Sequence, residues 1–379
     1  KNGLYKRSEC VLRLKIDMKN LNHVLRDPIA YRICLTPHHR TGTTWSIYPS
    51  YDYSHGIIDA LEGITHSYCT DEFYIRRDLY YWTPNKLVEL SVDLKVANEI
   101  EYGKLSVENN ILSKRNINKL IQDGFIADYT DPRLLTIKGL RRRGFTPGLI
   151  KKIVDCTGLD RKETIISTKF MNHLLRTEYN DIAYRVFGVI DPLKVKINNF
   201  NNPKQLTHPN HPVNKDLGSH QIILSSSIYI EKEDFSQEYI KDFYRFMPNN
   251  KVRLRYGDEK DFYQMDKYDL ENELLEIKPC DLTGVNIKKI KGCIHWISDL
   301  DAIEAKFELF TELAPNGIFN PESKITKIGF IQKYVLEILD KSFQLERKGF
   351  FKFDRYDEIN NKQIPVFIQI VNLFDNNKI

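Results

Sequence analysis

The pattern of apolar and polar residues predicts different structures in successive parts of the chain. Residues 8–17 alternate aliphatic and basic side chains, as a half-exposed strand does. Residues 111–181 carry apolar residues mainly at helical spacing. From about residue 184 onward, short runs rich in β-branched and aromatic residues are separated by Asn, Pro, Gly and Lys clusters. That texture predicts antiparallel β-barrels in the second half of the chain.

A helix predicted over residues 55–66 would align four polar side chains, with Ser54 available as its cap. His55, Asp59, Glu62 and His66 are spaced four, three and four residues apart. Such a stripe can be a metal site, a solvated face or the wall of a small-molecule pocket. The HExxH spacing of zinc helices is absent, which disfavours the metal interpretation. We favour the pocket wall, because a strand ends just before the helix.

Composition narrows the class of protein. The 379 residues exceed what one compact core usually holds, so two or more domains are expected. No apolar run approaches the length of a membrane span. The six cysteines form no CxxC pair, which argues against a zinc ribbon or disulfide framework and for a reducing compartment. A net charge of +5 permits an acidic partner such as nucleic acid without establishing one.

Two basic segments are candidates for phosphate contacts. Ser113, Lys114 and Arg115 follow two asparagines, where a cationic loop could meet phosphate oxygens. Taken alone, this tripeptide is more typical of a solvated turn. Residues 251–256, KVRLRY, alternate three cations with Val, Leu and Tyr, so that the cations share one strand face. That face could bind an extended nucleic-acid strand, or its charges could simply prevent an exposed edge strand from pairing with another chain.

The longest of several motifs that occur in a fixed order is HHRTGTTWSIYPSYDYSHGIIDALEGITHSYCTDEF at 38–73. It closely resembles the glutaminyl-tRNA synthetases, a class I synthetase family, and ILSKR at 111–115 is similar to that family's lysine-loop signature. DPRLLTIKGLRRRGFTP, KVRLRY and FQLERKGFF follow in the same order. The resemblance extends from about residue 8 to 256 and again from about 288 to 375.

The resemblance implies a multidomain protein. It would combine the second half of a Rossmann-like α/β catalytic domain with a helical subdomain and two antiparallel β-barrels. The implied segments are 1–48 for part of an inserted acceptor-stem domain, 49–110 for the catalytic half, 111–183 for the lysine loop and helical subdomain, and 184–379 for the anticodon-binding barrels.

The resemblance also implies roles for individual residues. Tyr51, His55 and Cys69 would bind glutamine, with no metal in that pocket. Ser113, Lys114 and Arg115 would bind ATP, and Lys114 with Ser113 would assist the release of pyrophosphate. The residues expected to read the anticodon are Asn180, Arg185, Arg245, Arg253, Arg255, Gln344 and Arg347.

The implied activity is ATP-dependent attachment of glutamine to its tRNA through a glutaminyl-adenylate. ATP with Mg²⁺, glutamine and tRNA(Gln) would be the partners of a cytoplasmic monomer. A glutamyl-tRNA synthetase, with or without tRNA discrimination, and a tRNA-binding fragment without catalysis are the alternatives. Glutamyl enzymes usually carry Arg near the position of Cys69, which argues against the first of these.

The chain departs from the family pattern at several points. The His-Ile-Gly-His signature and the first nucleotide-binding strand are absent, so the chain is expected to begin within the inserted domain and to hold half of the ATP site. Glu99 stands where Gln is usual, which leaves the pocket's selectivity open. Tyr129 replaces Trp, Val213 and Asp242 occupy usual anticodon-contact positions, and residues 257–287 do not match.

Overall fold

The computed structural model describes residues 4–258 and 261–374, which divide into two compact units. One unit consists of residues 1–106 and 154–165, and the other of residues 107–153 and 166–379. Residues 154–165, predicted within the helical subdomain, thus belong to the first unit. The predicted four-part division of the chain is finer than these two units and stays a prediction.

The first unit consists of short strands around two helices. The helices are α1 (Tyr51–Leu61) and α2 (Arg77–Glu89). The strands that begin in this unit are β1 (Val11–Arg13), β2 (Ile29–Ile33), β3 (Ile47–Pro49), β4 (His66–Thr70), β5 (Asn98–Tyr102), β6 (Leu105–Val107) and β7 (Thr164–Ile166). The order β1-β2-β3 forms one antiparallel sheet.

Strands β4 and β5 run parallel and are joined through α2. Parallel neighbours need a crossover connection, and a helix is the usual one. This β–α–β unit agrees with the predicted α/β catalytic half.

The start of α1 differs from the prediction. Ser50, not Ser54, caps the helix, because its Oγ accepts a hydrogen bond from the Tyr53 amide at 3.2 Å. The Ser54 hydroxyl instead donates to the Ser50 carbonyl inside the first turn. The helix therefore begins one turn earlier than predicted.

The second unit carries four helices in its N-terminal part, in agreement with the helical pattern of that region. They are α3 (Lys114–Gln122), α4 (Ile137–Arg143), α5 (Pro147–Asp155, which ends in the first unit) and α6 (Thr168–Ile182). Ile117, Leu120, Ile126 and Leu134 form a small core with Leu313 from the C-terminal region.

Two seven-stranded sheets make up most of the described remainder of this unit. Their strands, with those of a separate β11–β12 hairpin, are β8 (Tyr184–Val186), β9 (Gly188–Val189), β10 (Pro192–Ile197), β11 (Lys204–Pro209), β12 (Ser219–Leu224), β13 (Ser227–Glu231), β14 (Lys251–Leu254), β15 (Phe262–Asp269), β16 (Leu274–Pro279), β17 (Gly292–Ile294), β18 (Ile297–Ser298), β19 (Ala302–Phe310), β20 (Lys324–Gln332), β21 (Ser342–Leu345), β22 (Gly349–Ile359) and β23 (Lys362–Asn372). The first sheet has the order β17-β14-β15-β16-β10-β13-β18, and the second β8-β21-β22-β23-β19-β20-β9. One apolar core lies mainly against the first sheet and also takes Val189 from β9, and a second core lies mainly against the second sheet.

The prediction of purely antiparallel sheets is wrong for four strand pairs. In the first sheet β10–β16 and β14–β17 are parallel, and in the second β8–β21 and β19–β23 are parallel. The alternation of side chains along a strand is the same for both directions, so it carries no information on them. The two sheets are otherwise antiparallel and strand-rich, as predicted.

The unmatched stretch 257–287 also joins the first sheet. Within its described part, β15 and β16 pair antiparallel and place β16 beside β10. This segment therefore supplies two central strands of the sheet.

Three buried acidic residues, Glu231, Asp234 and Glu346, lie where the two sheets meet; we call them the carboxylate seam. Their exposures are 0%, 0% and 5%. Each pairs with a cation from the other sheet's connections: Lys348 lies 3.2 Å from Glu231, Arg347 2.6 Å from Asp234, and Arg255 2.9 Å from Glu346. Removing one partner of such a pair is costly, because it leaves the other charge buried and unpaired.

Every helix among the described residues is too short or too polar to span a lipid bilayer.

The buried His220 gives a testable pH dependence. Its ring stacks on Tyr334 with centroids 4.0 Å apart, and its Nδ1 lies 2.6 Å from Asn210 Oδ1. Burial, followed by the neighbouring His208, lowers the pKa of His220 from 6.5 to about 4. The unfolded state therefore binds more protons between these two values. The stabilisation from a neutral His220 is complete above pH 6.5 and is lost as the pH falls towards 4.

On going from neutral pH to pH 4, we expect the parent to lose about 3 kcal/mol more unfolding free energy than His220→Gln loses. Urea unfolding at a series of pH values measures it. His173→Gln, an exposed histidine of α6, should show no such trend. A parent–variant difference independent of pH would contradict the assignment.

Candidate functional site

Three elements of the first unit bring the predicted glutamine-pocket residues together. Helix α1 places Tyr51 and His55 one turn apart, and their rings stack with centroids 4.9 Å apart. Cys69 lies on the buried face of β4, and Glu99 lies on the buried face of β5. His55, Cys69 and Glu99 each offer one possible ligand atom, and these three atoms lie within 4.8 Å of one another. The pocket is therefore assembled from residues up to 48 positions apart in the chain, from Tyr51 to Glu99.

The predicted four-residue stripe does not form. Helix α1 ends at Leu61, Glu62 is its C-terminal cap, and Gly63 follows with φ of +72°. Glycine adopts this left-handed conformation readily, and it commonly ends helices. His66 is consequently the first residue of β4. Of the four residues, only His55 and Asp59 are neighbours on the helix.

Asp59 holds His55 in place by direct contact with its ring. Its Oδ2 lies 3.2 Å from His55 Nε2 and accepts a hydrogen bond from the Tyr80 hydroxyl at 3.0 Å. The Ser67 hydroxyl is 3.2 Å from the same histidine nitrogen. These contacts fix the imidazole in its position.

Buried carboxylates dominate the electrostatics of the pocket. Glu99 is 3% exposed, and its Oε2 has no hydrogen-bond partner among the described residues. Burial raises the pKa of Glu99. The nearest guanidinium, Arg77, lies 3.7 Å from Glu101 Oε2 and donates to the backbone carbonyl of Glu99 at 3.2 Å. The side chain of Glu99 therefore has a free acceptor oxygen.

Cys69 is a thiol in this environment. Burial raises its pKa to about 12, and the neighbouring Glu99 acts in the same direction. At neutral pH the sulfur keeps its proton and is a weak hydrogen-bond donor.

The predicted ATP-binding residues lie in the second unit, at the start of α3. Ser113 is the residue before the helix and Lys114 is its first residue. Ser113, Lys114 and Arg115 are exposed, and no carboxylate among the described residues lies within ion-pair distance of Lys114. A cation and free amides at a helix N-terminus favour a phosphate ligand.

Most of the arginines predicted to read the anticodon are engaged within the protein. Asp234 accepts two hydrogen bonds from Arg347, at 2.6 and 2.8 Å, and also lies 3.1 Å from Arg245 Nε. Arg255 pairs with Glu346 in the carboxylate seam. These three arginines therefore stabilise the junction of the sheets.

Arg185 is 5% exposed and donates to the carbonyls of Ala183 and Asn180 at 2.7 and 2.9 Å. It also bonds the side chain of Asn180 at 3.1 Å. Gln344 is partly buried on β21. Arg253 differs from the other predicted arginines: it is partly exposed on β14, and the described residues provide no ion pair or hydrogen bond to its guanidinium.

Comparisons with known proteins decide the family. The catalytic-domain description of class I tRNA synthetases (E and Q) matches residues 1–180, and two anticodon-binding-domain descriptions of the same class match residues 183–258 and 293–354. A protein from Pseudoalteromonas atlantica named glutamine–tRNA ligase is 37% identical over 99% of this chain, which covers 70% of that relative. The chain belongs to the class I tRNA synthetase family specific for glutamate or glutamine.

Other relatives carry the same name. A Buchnera aphidicola protein is 36% identical over 99% of the chain, and an Actinobacillus succinogenes protein 35% identical over 94%. The chain spans 70% and 66% of their respective lengths. The family predicted from the motifs is thus confirmed.

Sequence reasoning missed the carboxylate partners of the predicted site. Glu101 was detectable, because NEIEY places Glu99 and Glu101 two residues apart on one strand face. Asp234 was not detectable, because it lies 113 residues before Arg347 in the sequence.

We expect different effects from two of the predicted anticodon arginines. Arg253→Ala should weaken binding of tRNA about tenfold and leave the free energy of unfolding unchanged, since the side chain has no partner in the described protein. Arg347→Ala should lower the free energy of unfolding by about 3 kcal/mol, because Asp234 stays buried without its bidentate partner. Filter binding and urea unfolding measure the two effects. Equal destabilisation by both substitutions would contradict this division.

Proposed function

We propose that this chain belongs to a glutamine–tRNA ligase that uses ATP with Mg²⁺. The observation that carries the proposal is the cluster of Tyr51, His55, Cys69 and the buried Glu99 within residues 1–180, the region that matches the catalytic-domain description. The glutamine carboxylate attacks the α-phosphorus of ATP, pyrophosphate leaves, and a terminal tRNA hydroxyl then displaces AMP. No covalent protein nucleophile is required, so positioning and charge supply the catalysis.

The pocket favours a carboxamide over a carboxylate. The free Oε2 of Glu99 can accept an N–H from the glutamine side chain, and the Tyr51 hydroxyl can share that contact. A glutamate carboxylate would offer no N–H and would meet Glu99 and Glu101 as like charges. Cys69 contributes a neutral thiol where a cation would be needed to attract glutamate.

Lys114 is proposed to hold the phosphates of ATP. Its position at the start of α3 adds a full positive charge to the amides of the helix N-terminus. That charge would stabilise the pyrophosphate as the bond to the α-phosphorus breaks. Ser113 and Arg115 would add a hydroxyl and a second cation.

The two seven-stranded sheets are proposed to be the anticodon-binding barrels, which read tRNA(Gln). Arg253 would contact the RNA directly, together with Gln344 and Asn180, while Arg245, Arg255 and Arg347 stabilise the junction of the sheets. We also propose that the protein is a cytoplasmic monomer.

The role of Lys114 is tested by Lys114→Ala. We expect the complete protein carrying this substitution to lose at least about 100-fold in glutamine-dependent ATP–pyrophosphate exchange, measured with tRNA present. Lys119→Ala, an exposed lysine on the same helix, should retain parental exchange. Normal exchange in Lys114→Ala would refute the role.

Selectivity is tested by Glu99→Gln. Loss of the buried negative charge should raise exchange with glutamate relative to glutamine about tenfold, or about 1.4 kcal/mol. Glu101→Gln, on the same strand face, should change the ratio less, because Glu101 faces Arg77. Exchange assays with both amino acids give the ratio. A Glu99→Gln ratio equal to that of the parent would show that Glu99 does not discriminate.

A further inference from the structure

The trio His55, Cys69 and Glu99 has a second chemical capacity that glutamine binding does not use. It presents an imidazole nitrogen, a sulfur and a carboxylate oxygen within 4.8 Å of one another. The three groups come from α1, β4 and β5, so their proximity does not follow from one local motif. Three side chains from separate elements thus offer three different donor atoms in one small region.

This donor set matches a particular class of metal ion. Zinc binds nitrogen, sulfur and oxygen ligands at about 2.0–2.3 Å, so its ligand atoms lie about 3.5 Å apart. Donors that already lie within 4.8 Å need to contract by little more than about 1 Å to reach that geometry. Sulfur and imidazole favour zinc, cobalt(II) or copper over magnesium, which prefers oxygen ligands.

An unpartnered buried group provides an independent indication of a ligand. Only 3% of the Glu99 surface is exposed, and no hydrogen-bond donor among the described residues reaches its Oε2. Buried polar atoms without partners are rare in native proteins, and a bound ion is one way in which they are satisfied. Arg77 does not serve this atom, since its contacts are to Glu101 and to the Glu99 backbone.

The surrounding charge also favours a cation. Asp59 lies beside His55, and Glu101 adjoins Glu99 on the same strand face. A divalent ion would balance the Glu99 carboxylate and a Cys69 thiolate, and the thiol proton would pass to solvent on binding.

We propose that His55, Cys69 and Glu99 bind a divalent zinc-type cation, and that this cation excludes glutamine from the pocket. The exclusion rests on the proposed function, because both the cation and the glutamine carboxamide require the Glu99 carboxylate. Three protein ligands leave a fourth position for water. The metal-free pocket is then the form that activates glutamine, and zinc is an inhibitor competitive with the amino acid.

Cobalt(II) is the probe for the site. Chelator-treated complete protein is titrated with cobalt(II), and thiolate-to-cobalt charge transfer is followed in the near ultraviolet. We expect one equivalent to give the band, Cys69→Ser to abolish it, and Cys34→Ser to preserve it; Cys34 is a partly buried cysteine of the same unit, outside the trio. Glu99→Gln should retain the thiolate band but weaken cobalt(II) affinity at least about tenfold.

Glutamine should raise the apparent dissociation constant of cobalt(II), and zinc should raise the KM for glutamine in exchange without changing the KM for ATP. Absence of the band in parent protein, its persistence in Cys69→Ser, or indifference of the metal to glutamine would each overturn the proposal. Failure of glutamine-dependent exchange in metal-free protein would instead count against the proposed function. Circular dichroism of each variant confirms that a lost band does not reflect unfolding.

Discussion

The pairing of buried carboxylates with arginine and lysine at the junction of the two sheets is the interaction on which the second unit depends. Asp234 is completely buried, yet three hydrogen-bond or ion-pair contacts from Arg347 and Arg245 satisfy it. An isolated charge at that depth would cost several kcal/mol. The sheets are therefore held in one mutual arrangement, because sliding one past the other would separate carboxylates from their cations. A binding surface that spans both sheets is correspondingly pre-organised.

The pocket in the first unit follows the opposite principle. Its carboxylates outnumber the cations that face them, and the Glu99 side chain is left with an acceptor oxygen unused. Such unpaired polarity is unfavourable for folding but useful for recognition, since an incoming group with matching donors gains the whole interaction. The two halves thus use buried acids differently, for fixing structure in one case and for selecting a ligand in the other.

Sequence patterns predicted the element types better than their contacts. The strand-rich second half and the helices between 111 and 181 follow directly from apolar periodicity. Helical spacing alone placed His66 on α1, but Gly63 ends the helix first. Alternation could not give strand direction, and the four parallel pairs were missed. The motif order identified the family, whereas the pairing of Arg347 with Asp234 joins residues 113 positions apart in the sequence and follows from no local pattern.

The second sheet encloses the first along the chain. Strands β8 and β9 end at Val189, all seven strands of the first sheet lie between Pro192 and Ser298, and the second sheet resumes at Ala302. During synthesis, the earliest strands of the enclosing sheet must wait for partners made more than 100 residues later, and long-range closures of this kind are slow. The inner sheet, whose strands emerge consecutively, can assemble meanwhile. Synthesis from the N-terminus therefore allows the first sheet to pair its strands before the second sheet, whose earliest strands need later partners, can be completed.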